Sequence, residues 1–393
     1  MGVLVISFDA VGDEAFEIMA RDSKNYPNIA RFKKEAYYQG GVKTVFVSNT
    51  YPAHASIATG KLPKDHGVIS NILPPNQNGA RPWAQMATCV KTKTVWDAAK
   101  EKGLTTAAIL WPSTCGAKID YNMPEVHTEK GQSRFFRGLR YGSLFFQLYA
   151  FIKYSGILAK ALRKNKLRGI GQPALDTFST AVTRNLLKGK KADLVLLHLL
   201  AYDHLFHLAK PGSKEREDAK KALDANLGRL LECSGEYTVI IFGDHSQFNI
   251  KENINLNALY KDAVFEQTGG SAFFREKISG LEKHAWFERY LTNEEMLESG
   301  YADKAVFGIA AKPGYCFSES NKYTGNHGYP ADYARYNVFY GVRGNGFAPG
   351  SIPPGHEQTR LKRRLTDITG IIARELNLNM NQQKSTTSGL VWF

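Results

Sequence analysis

Three aspartates and three histidines stand where a folded chain could present them to one ligand. Asp9 closes the apolar run VLVISFD, and Asp203 and His207 stand four residues apart in YDHLFHLAKPG. Asp244 and His245 follow YTVIIFG, and His327 occupies the glycine-flanked turn GNHGYP. Singly, each has an ordinary structural explanation: an aspartate after a strand often caps the next helix, and Asp203–His207 is a common helix-face pair. Together they supply donors for two metal ions. Carboxylate oxygen and imidazole nitrogen suit Zn²⁺ best, with Mn²⁺ or Fe as alternatives. Two ions in unequal sites would stabilise the attacking and leaving oxygens of an in-line displacement at phosphorus. Thr50, in VFVSNTYPAHASIATG, lies where an apolar run gives way to a helical pattern. A threonine hydroxyl is a poor nucleophile near neutral pH, but metal coordination and a helix N-terminus both favour its alkoxide. Pro52 fits the first turn, where no amide donor is needed.

The elements that must position these residues can be read from hydrophobic periodicity. Residues 3–9, 44–49, 105–112, 192–203, 237–245 and 336–344 read as strands, and 94–103 and 215–233 as helices. This alternation predicts an α/β fold with a mostly parallel central sheet flanked by helices on both faces. In such sheets ligands bind beyond the carboxyl ends of the strands, where the polar residues above fall. Two stretches break the rhythm: a basic helical insertion at 130–175 and a cap or subdomain insertion at 248–325. The expectation is a single catalytic domain over residues 1–393 with inserted cap segments.

With 393 residues, 43% of them hydrophobic and 22% charged, the chain has the composition of a globular protein with a sizeable core. No apolar run reaches the roughly 20 residues of a transmembrane helix. Cys89, Cys115, Cys233 and Cys316 are far apart and form no CxxC pair. Reduced thiols, with a strand pattern directly after Met1 rather than a basic leader, give a cytoplasmic location as the expectation. The net charge of +14 is partly local, because residues 134–168 carry many Arg and Lys and no acid. Such a basic, aromatic-rich segment can meet nucleic acid or a membrane surface. Without a nucleic-acid motif, a helical flap that is solvated or attracts an anionic substrate is the plainer expectation. Oligomeric state is not legible.

These ordered motifs resemble the alkaline phosphatase superfamily and, within it, the type I phosphodiesterase/nucleotide pyrophosphatase family. FDAVG resembles the first metal-binding strand of that family, and NTYPAHASIATGKLPKDHGVISN its nucleophile segment. YDHLFHLAKPG, GDHS and NHGY are similar to its three later metal motifs. The resemblance implies one Zn²⁺ on Asp203, His207 and His327, and another on Asp9, Asp244 and His245 with Thr50, the nucleophile. It implies that Asn71 donates a hydrogen bond to a non-bridging phosphoryl oxygen. Tyr51 would pack against a leaving group such as a nucleobase, and Tyr121 would form the opposite wall. It leaves His66 structural, His198 in the core and His204 beside the site. Ala53, where many relatives carry Asn, and the ending GDHSQF depart from the family pattern.

The implied activity is phosphodiester or nucleotide pyrophosphate hydrolysis through a phospho-threonine, on a small anionic phosphoester of which a nucleotide is one candidate. No arginine in the matched motifs stands where it would clamp a doubly charged monoester, which favours diesters. The nearest alternative is a phosphonate hydrolase or phosphomonoesterase of the same superfamily. A more distant one is an inactive metal-binding module, or a basic module that binds nucleic acid or membranes.

Overall fold

Seven strands form the central sheet of the computed structural model, which describes residues 2–77, 79–128, 131–164, 171–344, 346–349 and 363–381. Their order is Tyr37–Val42, Val338–Arg343, Tyr237–Gly243, Gly2–Phe8, Leu194–Leu199, Thr106–Ile109 and Tyr121–Met123. The last five run parallel, and Val338–Arg343 is antiparallel to both of its neighbours. The inner strands are apolar at nearly every position because both faces are covered, and their side chains alternate between two cores. Leu4, Ile6, Phe8, Val195, Leu197, Val239 and Ile241 face one side, against helices Asp13–Arg21, Pro27–Glu35, Ala174–Lys188 and Lys214–Leu231. Val3, Val5, Leu194, Leu196, Ile240 and Phe242 face the other, against Thr50–Thr59, Val95–Glu101 and Asp367–Leu376.

Two expected strands differ from what forms. Residues 44–49 are irregular, and the edge strand lies earlier, at Tyr37–Val42. Thr44–Asn49 is nevertheless buried: Val45 joins the sheet core, while Phe46 and Val47 pack against Phe273, Leu291 and Tyr301 of the later insertion. The apolar signal there comes from burial between two units, not from strand pairing. The run 192–203 splits into strand Leu194–Leu199 and helix Ala201–Leu208, so Asp203 lies on a helix.

Between residues 248 and 325 an antiparallel four-stranded sheet forms in the order Phe287–Tyr290, Phe307–Ala311, Ser271–Phe274, Phe265–Gln267. It has its own core around Phe274, Trp286, Ile309 and Phe317. The stretch expected as a basic insertion carries helices Arg134–Tyr141, Leu144–Lys153 and Ser155–Lys164, followed by Ala174–Lys188, and its residues 165–170 lie outside the described ones. All four cysteines are free, and among the described residues no helix is long and apolar enough to cross a membrane.

Candidate metal centre and nucleophile

The carboxyl ends of the parallel strands converge on one cluster. Asp9 follows strand Gly2–Phe8, and Asp244 and His245 follow its neighbour Tyr237–Gly243. Gly243 cannot be replaced by a larger residue, since a Cβ there would lie 1.9 Å from the Val11 carbonyl. Asp203 and His207 share one face of helix Ala201–Leu208, a turn apart. His327 comes after the short strand Gly325–Asn326, and Gly328 behind it has φ +87°, with no room for a Cβ beside the Thr268 carbonyl.

The six donors fall into two groups, Asp203–His207–His327 and Asp9–Asp244–His245, each with its ligand atoms within 4.8 Å of one another. His245 Nε2 lies 3.5 Å from Asp9 Oδ1 and 3.3 Å from Asp244 Oδ2. Asp203 Oδ1 lies 3.3 Å from His207 Nε2 and 3.9 Å from His327 Nε2. The rings of His245 and His327, 4.2 Å apart at their centroids, join the two groups.

The surroundings fit divalent cations. Asp9 Oδ1 and Asp244 Oδ2 are buried without a hydrogen-bond partner. Burial, and then the neighbouring carboxylates Asp203 and Asp244, push the Asp9 carboxyl well above its usual range. Burial likewise raises Asp244, against the pull of His245, His198 and the Ala10 amide. Burial works against the charge of Asp203 too, but His207 and His327 outweigh it and hold that carboxyl low. Each histidine has its Nδ1 beside an oxygen acceptor: His207 at Gly325 O (2.8 Å), His245 at Ser246 O (3.3 Å) and His327 at Asn49 Oδ1 (2.8 Å). A proton on Nδ1 leaves the Nε2 lone pair free for a metal.

Thr50 is the first residue of helix Thr50–Thr59, and its hydroxyl oxygen lies 3.2 Å from His245 Nε2. Asn49, the cap position, makes no side-chain cap because its carbonyl oxygen serves His327. Asn71 accepts the Tyr51 amide at 2.9 Å, so its oxygen is spent on the helix N-terminus and its –NH₂ is left to donate.

Tyr51 and Tyr121 are not where the resemblance implied. Tyr51 is fully buried, beneath Trp83 and His127, and burial followed by the Glu125 charge raises its phenol well above its usual range. The accessible aromatic surface next to Asn71 is instead Trp83 stacked on His127, with centroids 3.7 Å apart. The Ala84 amide, next to Trp83, is bonded to the Asn71 carbonyl. Tyr121 pairs with Ala107, level through Val195 with Leu4. That is about 13 Å below the strand end at Phe8. Its ring packs on Phe146 and lines a groove of about 480 Å³ with Phe145, Tyr149 and Lys191.

Several residues around the centre carried no visible signal. His198 Nε2 lies 3.2 Å from Asp9 Oδ2 without a hydrogen bond to it, and its Nδ1 is 3.1 Å from the Leu110 carbonyl, so it fills the core directly behind a candidate ligand. His54, one turn after Thr50, bonds the Thr50 carbonyl at 2.7 Å and lies 3.6 Å from Asp244 Oδ2. Gln247, from the divergent ending GDHSQF, donates to Asp203. Asp176 accepts the Leu200 and Ala201 amides at 3.0 and 2.9 Å, and so caps the helix of Asp203 and His207 from a neighbouring element. His66 ties Ser56 to the following turn, and His204 is exposed.

A family model described as type I phosphodiesterase/nucleotide pyrophosphatase matches residues 3–326. The chain belongs to this family. Its members are phosphoric ester hydrolases. Human ectonucleotide pyrophosphatase/phosphodiesterase family member 1 is 29% identical over 108 residues, a stretch covering 26% of this chain and 11% of that protein. Among solved structures, murine ectonucleotide pyrophosphatase/phosphodiesterase 5, as an inactive variant in complex with AMP, superposes with a TM-score of 0.64 at 16% identity, covering 98% of this chain and 97% of that one. Phosphonoacetate hydrolase from Sinorhizobium meliloti, in complex with phosphonoacetate, gives a TM-score of 0.67 at 15% identity, with 96% of each chain covered. At these identities the two structures speak for the fold.

Proposed function

We propose that this family member is a metal-dependent phosphodiesterase/nucleotide pyrophosphatase with Thr50 as its nucleophile. The observation that carries this is the placement of the Thr50 hydroxyl at a helix N-terminus, 3.2 Å from His245, where the two carboxylate–imidazole groups meet. Asp203, His207 and His327 would hold one Zn²⁺ and Asp9, Asp244 and His245 the other, supplying Lewis-acid stabilisation of phosphoryl charge and of the Thr50 alkoxide. Thr50 Oγ gives its proton to solvent and bonds to phosphorus, the bond from phosphorus to the ester oxygen breaks, that oxygen leaves with a proton from solvent, and a phospho-threonine remains. Asn71 donates its –NH₂ to a non-bridging oxygen as charge builds there. Water then cleaves the phospho-threonine, and two in-line displacements give net retention at phosphorus. Among the described ion pairs, neither group is joined by a lysine or arginine. The second charge of a monoester would therefore lack a partner, and this favours diesters. The AMP held by a neighbour of the same fold makes nucleotide diesters the first natural substrates to try.

The test is hydrolysis of bis-p-nitrophenyl phosphate against p-nitrophenyl phosphate by zinc-loaded protein. Diester preference is expected, with Thr50→Ala reducing turnover by on the order of a thousandfold or more. Preference for the monoester would reassign the substrate class. Turnover that survives loss of Thr50 would overturn the mechanism.

A further inference from the structure

Residues 134–164 contain seven Lys and Arg and no Asp or Glu. They form three consecutive helices at the surface, Arg134–Tyr141, Leu144–Lys153 and Ser155–Lys164. Where the side-chain contacts of these cations are described, the partners are neutral: Arg137 with Gln132, and Lys153 with Tyr149 and Asn185. Arg134, Arg140, Lys153, Lys160 and Arg163 are exposed, and among the described ion pairs none of them meets an acid.

The apolar side chains of the middle helix point two ways. Gln147 and Ala150 are buried, Phe146 packs on Tyr121, and Phe151 stacks on Phe178, which fixes the inner face. Phe145, Tyr149 and Ile152, at i, i+4 and i+7, form the opposite stripe. Phe145 is 84% exposed and Ile152 76%. Phe136 on the preceding helix is 71% exposed, and Leu144 at the junction is exposed as well. A helix that already has a packed inner face gains nothing in water from a second apolar one, and contiguous exposed apolar surface of this kind marks an interaction site.

We propose that this face docks the protein on an anionic lipid surface, with Phe136, Phe145 and Ile152 entering the boundary between headgroups and acyl chains. Arg140 and Lys160 meet the lipid phosphates. Charge complementarity selects this occupant. A second copy would set one acid-free basic face against another, which is repulsive at close range. Single-stranded nucleic acid would use the aromatic rings, but Leu144 and Ile152 offer no π surface for stacking. Aliphatic and aromatic residues at helical spacing among Lys and Arg are the composition of a helix lying in a membrane interface.

Co-sedimentation of the full chain with vesicles of phosphatidylcholine and phosphatidylglycerol, against phosphatidylcholine alone, tests this at low and high salt. Binding is expected to the anionic vesicles, weakening with salt. The pair Phe145→Ser and Ile152→Ser should lower partitioning about tenfold or more, from lost apolar insertion. The pair Arg140→Ser and Lys160→Ser should reduce the preference for anionic lipid. Both variants should melt with the parent and hydrolyse bis-p-nitrophenyl phosphate as it does, because the altered side chains are exposed. No binding to anionic vesicles at low salt would overturn the proposal, as would binding untouched by loss of Phe145 and Ile152. So would a concentration-dependent dimer that the same variant breaks, or salt-sensitive binding to single-stranded RNA with vesicles ignored.

Discussion

The two carboxylate–imidazole groups have similar donors and different surroundings. In Asp9–Asp244–His245 no side chain is more than 5% exposed, whereas Asp203, His207 and His327 are 15%, 17% and 10% exposed. The deep group hangs on two neighbouring parallel strands whose register fixes it, with His54 and His198 behind. The rim group hangs on an eight-residue helix and a two-residue strand, and is aligned by hydrogen bonds accepted by the Asp176 carboxylate, the Gly325 carbonyl and the Asn49 side chain. The deep group is thus set by the sheet at the cost of crowding two buried carboxylates, and the rim group by side chains that can be removed one at a time.

Asp244→Asn should have the largest effect, and in two opposite directions. Losing a ligand of the deep group should lower turnover by on the order of a thousandfold. In the presence of a chelator, the same variant should melt at a higher temperature than the parent. Asp244 Oδ1 already accepts the Ala10 and His245 amides, which Asn can keep, while the buried charge and its repulsion with Asp203 and Asp9 disappear. The sign follows from the raised carboxyl: its cost is absent below the unfolded value near 3.9 and grows as pH rises through the folded one. The gain in melting temperature should therefore shrink towards pH 4. A metal-free variant that melts below the parent at neutral pH would break the comparison.

His207→Ala should do less to the fold, because its side chain is partly exposed and water can fill its place. Metal analysis should show stoichiometry falling from two towards one per chain, with the deep ion retained and the melting temperature of the metal-free protein nearly unchanged. Loss of both ions together would mean that neither group binds without the other.

What could be read in advance depends on how local the cause is. The six candidate ligands and Thr50 are legible because Asp9, Thr50, Asp203, Asp244 and His245 close or follow apolar runs, His207 stands one helical turn after Asp203, and His327 lies in a glycine turn. Their assembly then follows from strand order. Residues 44–49 read as a strand although none forms there, because their apolar periodicity is that of a segment buried between the sheet and the later insertion. Asp203 was placed at a strand end because apolar sequence continues across Leu200, where the backbone turns helical without a Gly or Pro to mark it. Tyr51 and Tyr121 were carried over from position alone. Burial and register depend on distant residues, Trp83 and His127 for one and Phe146 for the other. His198 is a core residue, as its apolar strand suggests, and only its 3.2 Å approach to Asp9, nearly two hundred residues away in sequence, is invisible locally.

His198→Phe sharpens the comparison from behind the deep group. Phenylalanine keeps the packing against His54 but removes the imidazole nitrogen 3.2 Å from Asp9 Oδ2, so if that nitrogen orients Asp9 when metal is bound, deep-site metal affinity should fall about 10–100-fold. At saturating zinc, kcat should fall with little change in KM, and His198→Gln, whose amide is able to donate to Asp9, should recover part of the loss. Equal behaviour of the Phe and Gln variants would reduce His198 to core packing.

The smallest effect belongs to Asp176, which acts on the rim group without touching it. Its carboxylate accepts the amides that open helix Ala201–Leu208, so Asp176→Ala leaves two buried donors unpaired and should cost about 1–2 kcal/mol, as lost helix caps do. The loosened helix carries Asp203 and His207 but neither Asp9 nor Asp244. Competition with a chelator should then show the rim ion released a few-fold more readily while the deep ion is held as before. If both weaken together, the cap acts through the sheet rather than through its helix. The contrast between a register-fixed deep group and a separately tunable rim group would then give way to one cooperative centre.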